Sequence, residues 1–265
     1  AVSVIEADPT GRCADHIYVE GRRRVRVFLT GGTGFVGKAL AGALQAAGHD
    51  VRSAVRNPLG SIGIGDFFQY PGLEGDVDWR PGLAGMDAVI HLAGLAHVTD
   101  IVVGYDASNF RRVNTEATIR LAEQSAESGV KRFIFLSSIK AMGEGSELGH
   151  PLSADDPLRP VDAYGISKQE AEQALVSLAG RSAMEVVVIR PVLVYGPGVG
   201  ANFLSMMRWL GRGFPLPLGA VHNKRSLVAL DNLVALILTC LDHPAAANQT
   251  FHVSDGEDLS TTDLL

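Results

Sequence analysis

The chain has 265 residues, and 23 Lys and Arg against 29 Asp and Glu leave a formal charge of −6. A chain of this length buries roughly three quarters of its unfolded surface, so it can carry a full core without staples. No uncharged apolar run reaches about 18 residues, which excludes a membrane-spanning helix, and the mild acidity argues against a general nucleic-acid binder. Cys13 and Cys240 are too few for a disulfide framework and lack zinc spacing, and the eight histidines form no HExxH or CxxH pattern. No metal site is expected, and the composition fits a reduced, cytoplasmic protein.

Residues 1–24 differ in texture from the rest of the chain. They hold Asp8, Pro9, Gly11 and Gly21 and end in Arg22-Arg23-Arg24, with no apolar h-region, so no secretory signal is expected. They read as an accessory extension or leader, with a basic targeting arm as the alternative.

From Val25 onward strand and helix signals alternate. Val25–Thr30 (VRVFLT) is a β-rich run ending in glycines, and Leu40, Ala43, Leu44 and Ala47 give residues 35–47 a helical spacing closed by Gly48. Val51–Val55, Ala88–Leu92, Arg132–Ser137 and Glu185–Arg190 read as strands, and residues 114–128 and 163–179 as helices. This alternation predicts an α/β fold, a doubly wound parallel sheet covered by helices on both faces. After Pro191 frequent Pro and Gly break the periodicity, so residues 25–190 are expected to form the main sheet domain and 191–265 a smaller substrate region. That region carries a helix near Asn232–Leu241, and Ser260-Thr-Thr-Asp263 forms a capping box that predicts a further helix running past Leu265.

The loop Thr30-Gly-Gly-Thr-Gly-Phe-Val-Gly37 follows a strand and opens a helix. Gly31, Gly34 and Gly37 permit a tight turn, close approach of a pyrophosphate and close helix–strand packing. The free N–H groups at the start of the helix then face the phosphates. Further on, Tyr164 and Lys168 stand four apart on one helix face. An adjacent ammonium and the positive nicotinamide ring of a dinucleotide on that loop are both expected to lower the phenol pKa from its ordinary value near 10.

The GxxGxxG spacing, the later YGISK and the block IRPVLVYGPG resemble the extended short-chain dehydrogenases/reductases of the epimerase/dehydratase type. Within that family the chain is most similar to nucleotide-sugar 4-epimerases and 4-ketoreductases, and His91-Leu-Ala-Gly-Leu-Ala-His-Val98 resembles the loop of UDP-hexose 4-epimerases. The resemblance implies cofactor contacts from Thr33, Phe35 and Val36 within the glycine loop, from Leu92, Ala93 and Gly94 after the fourth strand, and from Asn114, Tyr164, Lys168 and Pro191. Asp76, beside Val77, stands where the family places an adenine contact, although a turn aspartate explains it equally well. The acidic residue that binds a ribose 2′-OH falls on Val55, followed by Arg56, so NADP is favoured over NAD, with Arg52 as a weaker phosphate partner.

The same resemblance makes Ser138, Tyr164 and Lys168 the catalytic set, with Ser138 four residues before Met142, which replaces the family's aromatic. Ser137 would then hold the strand end. Ile139 and Lys140 replace the Asp-Glu pair of sugar dehydratases, so elimination lacks its proton carriers. Substrate contacts are implied for Ser138, Asn202, Leu216 and Arg225. The reading is oxidoreduction at C4 of a UDP-sugar, either as an epimerase or as an NADPH-dependent 4-keto reductase, with a non-catalytic dinucleotide sensor as the third reading. A homodimer through helices 114–128 and 163–179 is also implied. Ala117, Leu121, Ala171, Ala174, Leu175 and Leu178 could serve either that interface or the sheet, and Ile119, Ala122 and Ala126 form a second, smaller stripe.

Overall fold

A computed structural model describes residues 23–58, 65–95, 107–146, 150–200, 207–208 and 223–264. The strands are β1 (Arg26–Thr30), β2 (Asp50–Val55), β3 (Asp66–Gln69), β4 (Ala88–His91), β5 (Arg132–Leu136), β6 (Glu185–Pro191), β7 (Leu193–Tyr195), β8 (Arg225–Ala229), β9 (Thr250–Val253) and β10 (Asp258–Leu259). The helices are α1 (Phe35–Ala46), α2 (Arg80–Leu83), α3 (Ala107–Phe110), α4 (Ala117–Glu127), α5 (Ala163–Gly180), α6 (Leu230–Asp242) and α7 (Thr261–Leu264).

Seven strands form one parallel sheet in the order β3-β2-β1-β4-β5-β6-β9, so Val25–Thr30 does supply a central strand. The order reverses between β1 and β4, and in such sheets ligands bind in the crevice outside the carboxyl ends at that point. Alternation along each strand divides the core. Val27, Leu29, Ile90, Ile134, Val187 and Ile189 pack with Leu40 and Leu44 of α1 and Leu233 and Ile237 of α6. Phe28, Val89, Phe133 and Phe135 point to the other face, toward Leu121 of α4 and Leu175 of α5.

β3 and β7–β10 were not expected from the sequence. They run two to five residues, too short to establish an alternation, and β3 is a mostly exposed edge strand headed by Asp66. Residues after 191 contribute to both sheets. β9 pairs with β6 in the large one, whereas β7, β8 and β10 form a second, three-stranded sheet. α6 meanwhile covers the same face as α1. The break in periodicity at Pro191 therefore marks where the chain leaves the large sheet, not where its core ends.

The helix expected over 114–128 begins earlier and differently. Arg111–Glu116 winds as a π-helix before α4 takes over at Ala117. Such wide turns are rare and tend to occur at functional sites. The capping box is present, with Ser260 N–H bonded to Asp263 and Asp263 N–H bonded back to Ser260 Oγ.

Candidate active site

The glycine loop is shaped for a phosphate. Gly31 adopts φ +75°, a conformation that favours glycine, and a Cβ there would lie 2.7 Å from Ala93 N. At Gly37 a Cβ would strike Gly31 O, with Gly32 Cα at 2.7 Å, so α1 starts flush against the loop. The N-cap, Gly34, offers no side-chain acceptor, and the first turn carries no acid. The opening N–H groups of a twelve-residue helix are thus directed at the carboxyl edge of β1. Thr33 is exposed, and Phe35 and Val36 are half-buried around the same opening. This cradle, which side chains would fill, fits the pyrophosphate of a dinucleotide.

The segment after β4 is tied to that loop. Leu92 N–H bonds Thr30 O at 3.2 Å, and Ala93 N–H bonds Thr30 Oγ1 at 3.3 Å. His91, fully buried, completes a chain of bonds. Thr118 Oγ1 donates to Asn114 O at 2.6 Å, so it accepts from His91 Nε2 at 2.9 Å. Nδ1 therefore accepts from Thr30 Oγ1 at 2.6 Å. This arrangement needs a neutral imidazole, and burial, helped by the Lys168 charge, pushes the His91 pKa down to about 3.

Asn114 is 1 % exposed, and its amide is engaged on every side. It accepts from Leu95 N–H at 2.7 Å, and donates to Leu95 O and Ser167 Oγ at 3.0 Å each. A Cβ on Gly94 would lie 2.8 Å from Asn114 Oδ1. Asn114 thus clamps the segment Gly94–Leu95 onto α5, and the π-helix turns it to do so. Arg120 and Gln124 of α4 brace the segment that holds Asp76 and Val77 through Leu73 O, Gly75 O and Val77 O. Asp76 is exposed and Val77 buried.

Val55 is buried at the end of β2, and Arg56 beside it is exposed. Arg52 is not available to a phosphate. Its guanidinium holds Asp66 at 2.7 Å and Gly82 O at 3.0 Å, because its side chain lies across β3 toward α2.

Ser138, Tyr164 and Lys168 converge at the carboxyl edge. Ser138 Oγ caps a short 3-10 turn by accepting Lys140 N–H at 3.2 Å, which leaves its own hydrogen for the Tyr164 phenol. Asp162 caps α5 through Gly165 N–H at 2.6 Å. A Cβ on Gly165 would sit 2.5 Å from Lys140 O, so the start of the helix lies directly against the serine turn. Phe110 meets the Tyr164 ring edge-on at 6.2 Å. Lys168 Nζ bonds Leu136 O at 2.9 Å, 6.0 Å from the Tyr164 ring centroid.

In the chain without a dinucleotide the phenol pKa is not lowered. Burial raises Tyr164 above its ordinary value, the Ser138 bond opposes this, and the Asp162 charge adds to it. Lys168 answers to burial too, lowered to about 8 with Glu172 opposing. Met142 does not line an open site. It is buried, with its sulfur 3.0 Å from Arg190 Nη1. Lys140 bonds Glu144 at 2.7 Å. Pro191 is buried at the end of β6, and Arg225 is exposed at the start of β8. Asn202 and Leu216 lie outside the described residues.

Ser137 holds the strand end as expected, its N–H on Ile189 O at 2.8 Å, and its hydroxyl donates to Glu172. Glu172 and His91 were missed in the sequence. The four-residue step from Lys168 to Glu172, flanked by Ala171 and Leu175, was the available signal for an acid facing the core. Among the described residues no group of three or more His, Cys, Asp or Glu could hold a metal ion, and no helix is long and apolar enough to cross a membrane.

A parallel sheet with a glycine phosphate loop at its switch point and a Ser-Tyr-Lys set beside it defines a dinucleotide-dependent oxidoreduction site. Residues 27–254 match the NAD dependent epimerase/dehydratase family, and the chain belongs to that family. It is 49% identical over 241 residues to a UDP-glucose 4-epimerase of Vibrio cholerae, covering 90% of this chain and 73% of that one. Among solved structures, MoeE5 in complex with UDP-glucuronic acid and NAD is 27% identical, with a TM-score of 0.77 over 90% of this chain and 79% of that one. A UDP-glucuronic acid 4-epimerase from Bacillus cereus, 21% identical, shares the fold with a TM-score of 0.78 over 91% and 81%.

Proposed function

We propose that the chain interconverts C4 epimers of a UDP-hexose or UDP-N-acetylhexosamine. The observation that carries this reading is the convergence of Ser138, Tyr164 and Lys168 beside the close approach of Gly31 to Ala93. A dinucleotide bound at the glycine loop would accept hydride from C4 and give it back to the opposite face. Tyr164 takes the proton of the 4-hydroxyl as phenolate, a form that the positive nicotinamide ring would favour against burial, and returns it after the 4-keto sugar has turned its other face. Ser138 orients the reacting oxygen and holds the phenolate through its hydrogen bond. Lys168, fixed by Leu136 O, keeps a positive charge beside the ring and would bind the ribose of the dinucleotide. Asn202, Leu216 and Arg225 are assigned to the diphosphate and uracil.

Val55 and Arg56 support acceptance of a 2′-phosphate, so NADP is proposed beside NAD. The same arginine is what favours a second reading, an NADPH-consuming 4-keto reductase. Retention of the tyrosine–lysine pair speaks against a non-catalytic sensor. Location in the cytoplasm and a homodimer through α4 and α5 complete the proposal. Ala117, Leu121, Ala122, Ala171, Leu175 and Leu178 are buried in the core on that face of the sheet, and a shallow groove between the two helices is lined by Ile119, Ala122, Ala174, Leu175 and Leu178.

The deciding experiment incubates the protein with UDP-glucose, UDP-N-acetylglucosamine and 4-keto UDP-sugars while nicotinamide absorbance is followed. Interconversion of epimers without net cofactor change is expected. Net consumption of NADPH with a 4-keto sugar, and no interconversion, would replace the epimerase by the reductase.

A further inference from the structure

Beneath the Ser138–Tyr164 pair lies a buried ion pair to which none of the roles above is assigned. Glu172 is 3 % exposed and Arg190, near the end of β6, is 5 % exposed. Arg190 Nη2 donates to Glu172 Oε2 at 2.7 Å, and Nε lies 3.1 Å from both carboxylate oxygens. A pair this deep gives up the hydration of two charges, and apolar residues of similar volume would often fill such a place at no loss of stability.

The remaining bonds of both groups run to the segments that shape the site. Glu172 accepts from the Ser137 hydroxyl, and Ser137 N–H is anchored on β6, so the residue just before Ser138 is held at side chain and backbone. Arg190 Nη1 reaches Met142 Sδ at 3.0 Å, Ala154 O at 3.3 Å and His252 Nε2 at 3.2 Å. His252 also bonds the backbone of Leu152. Met142, Leu152 and Ala154 all lie on the stretch that leads from Ser138 to Tyr164. One guanidinium therefore ties down both parts of the connection between the two reacting side chains.

We propose that Glu172 and Arg190 are a positioning pair that sets Ser138 against Tyr164, through Ser137 on one side and through the Met142 and Ala154 segments on the other. The inference rests on Ser138 and Tyr164 being the reacting groups. Neither Glu172 nor Arg190 needs to touch substrate, and misplacement of a reacting group by about 1 Å is enough to slow a reaction about a hundredfold.

Ser137→Ala is the sharpest probe, because it breaks the link to Ser138 and leaves the ion pair intact. Its kcat is expected to fall about tenfold or more while KM for the UDP-sugar stays within about twofold. The melting temperature should remain near that of the wild type. Ser137→Ala/Glu172→Gln should be no slower than Glu172→Gln alone, since both act along one path. A second readout needs no substrate. Tyr164 is faced by Ser138 from the serine turn, by Asp162 and Lys168 on its own helix, and by Phe110 from α3. Loosening Ser138 should raise its titration, followed by near-ultraviolet difference absorbance against Tyr164→Phe.

With an active wild type, an unchanged kcat or an unchanged titration in Ser137→Ala overturns the positioning role. A wild type inert toward UDP-sugars overturns the epimerase reading instead. The titration then decides alone whether the pair positions Ser138: a rise supports it and no change refutes it.

Discussion

Replacing Gly37 by alanine tests the phosphate cradle and the packing of α1 together. The new Cβ would meet Gly31 O, Gly32 Cα at 2.7 Å and Gly31 C at 2.8 Å, all backbone atoms that no rotamer change can clear. Restoring ordinary contact at about 3.4 Å requires α1 to retreat by about 0.7 Å to clear Gly32 Cα, and by more to clear Gly31 O, which stands nearer. The same helix seats Leu40 and Leu44 in the core, so the retreat also loosens packing. Overpacking of this kind costs about 1–3 kcal/mol, equivalent to a melting temperature lower by roughly 2–12 °C for a domain of this size. Displacing the helix N-terminus should weaken dinucleotide binding as well. Gly42 on the same helix is the control. A Cβ there meets nothing within 4 Å, so Gly42→Ala should stabilise by about 0.5–1 kcal/mol. Thermal melts and isothermal titration with NAD read both effects. A Gly37→Ala protein that melts with the wild type and binds NAD within twofold would refute the reasoning.

Three further outcomes are expected. Arg56→Ala should lower affinity for NADP about tenfold or more and leave NAD nearly unchanged, and equal losses for the two dinucleotides would remove Arg56 from the 2′-phosphate. Lys168 is held near pKa 8 by burial, so kcat should fall as pH rises through about 8 and its ammonium is lost; a rate still climbing past that pH speaks against the charged form. His91 is neutral in the fold down to about pH 3 and gains its proton near 6.5 when unfolded, so it contributes a loss of stability as pH falls below 6.5. The slope is about 1.4 kcal/mol per unit, and urea unfolding of His91→Gln should show a shallower acid dependence than the wild type.

Much of the site could be read from spacing. The glycine loop announces itself because a strand precedes it and a helix comes after it, and Tyr164 and Lys168 share a face because they stand four apart. The buried partners are harder. Glu172, Arg190 and His91 are polar residues inside elements that otherwise read as apolar, and only tertiary packing shows that their bonds close on Ser137, Met142 and Thr118. The phenol pKa of the chain without a dinucleotide is not lowered by the lysine alone, for a related reason. The helix places Lys168 near Tyr164, but Leu136 O takes the ammonium and burial dominates the ring. The short strands β7–β10 stayed hidden because runs of two to five residues have no period to detect.

The late arrival of β9 has a consequence for the chain as it is made. β6 is a row of apolar residues from Val186 to Ile189, and it stays an open sheet edge until its neighbour is synthesised roughly sixty residues later. The apolar face of α6 that shields β5 and β6 also emerges in that interval. A nascent chain halted before Thr250 thus presents an unpaired hydrophobic edge, the kind of surface on which chains join wrongly. Once Val253 has emerged the edge is sealed by backbone pairing, so the hazard belongs to a brief window of translation and vanishes with it.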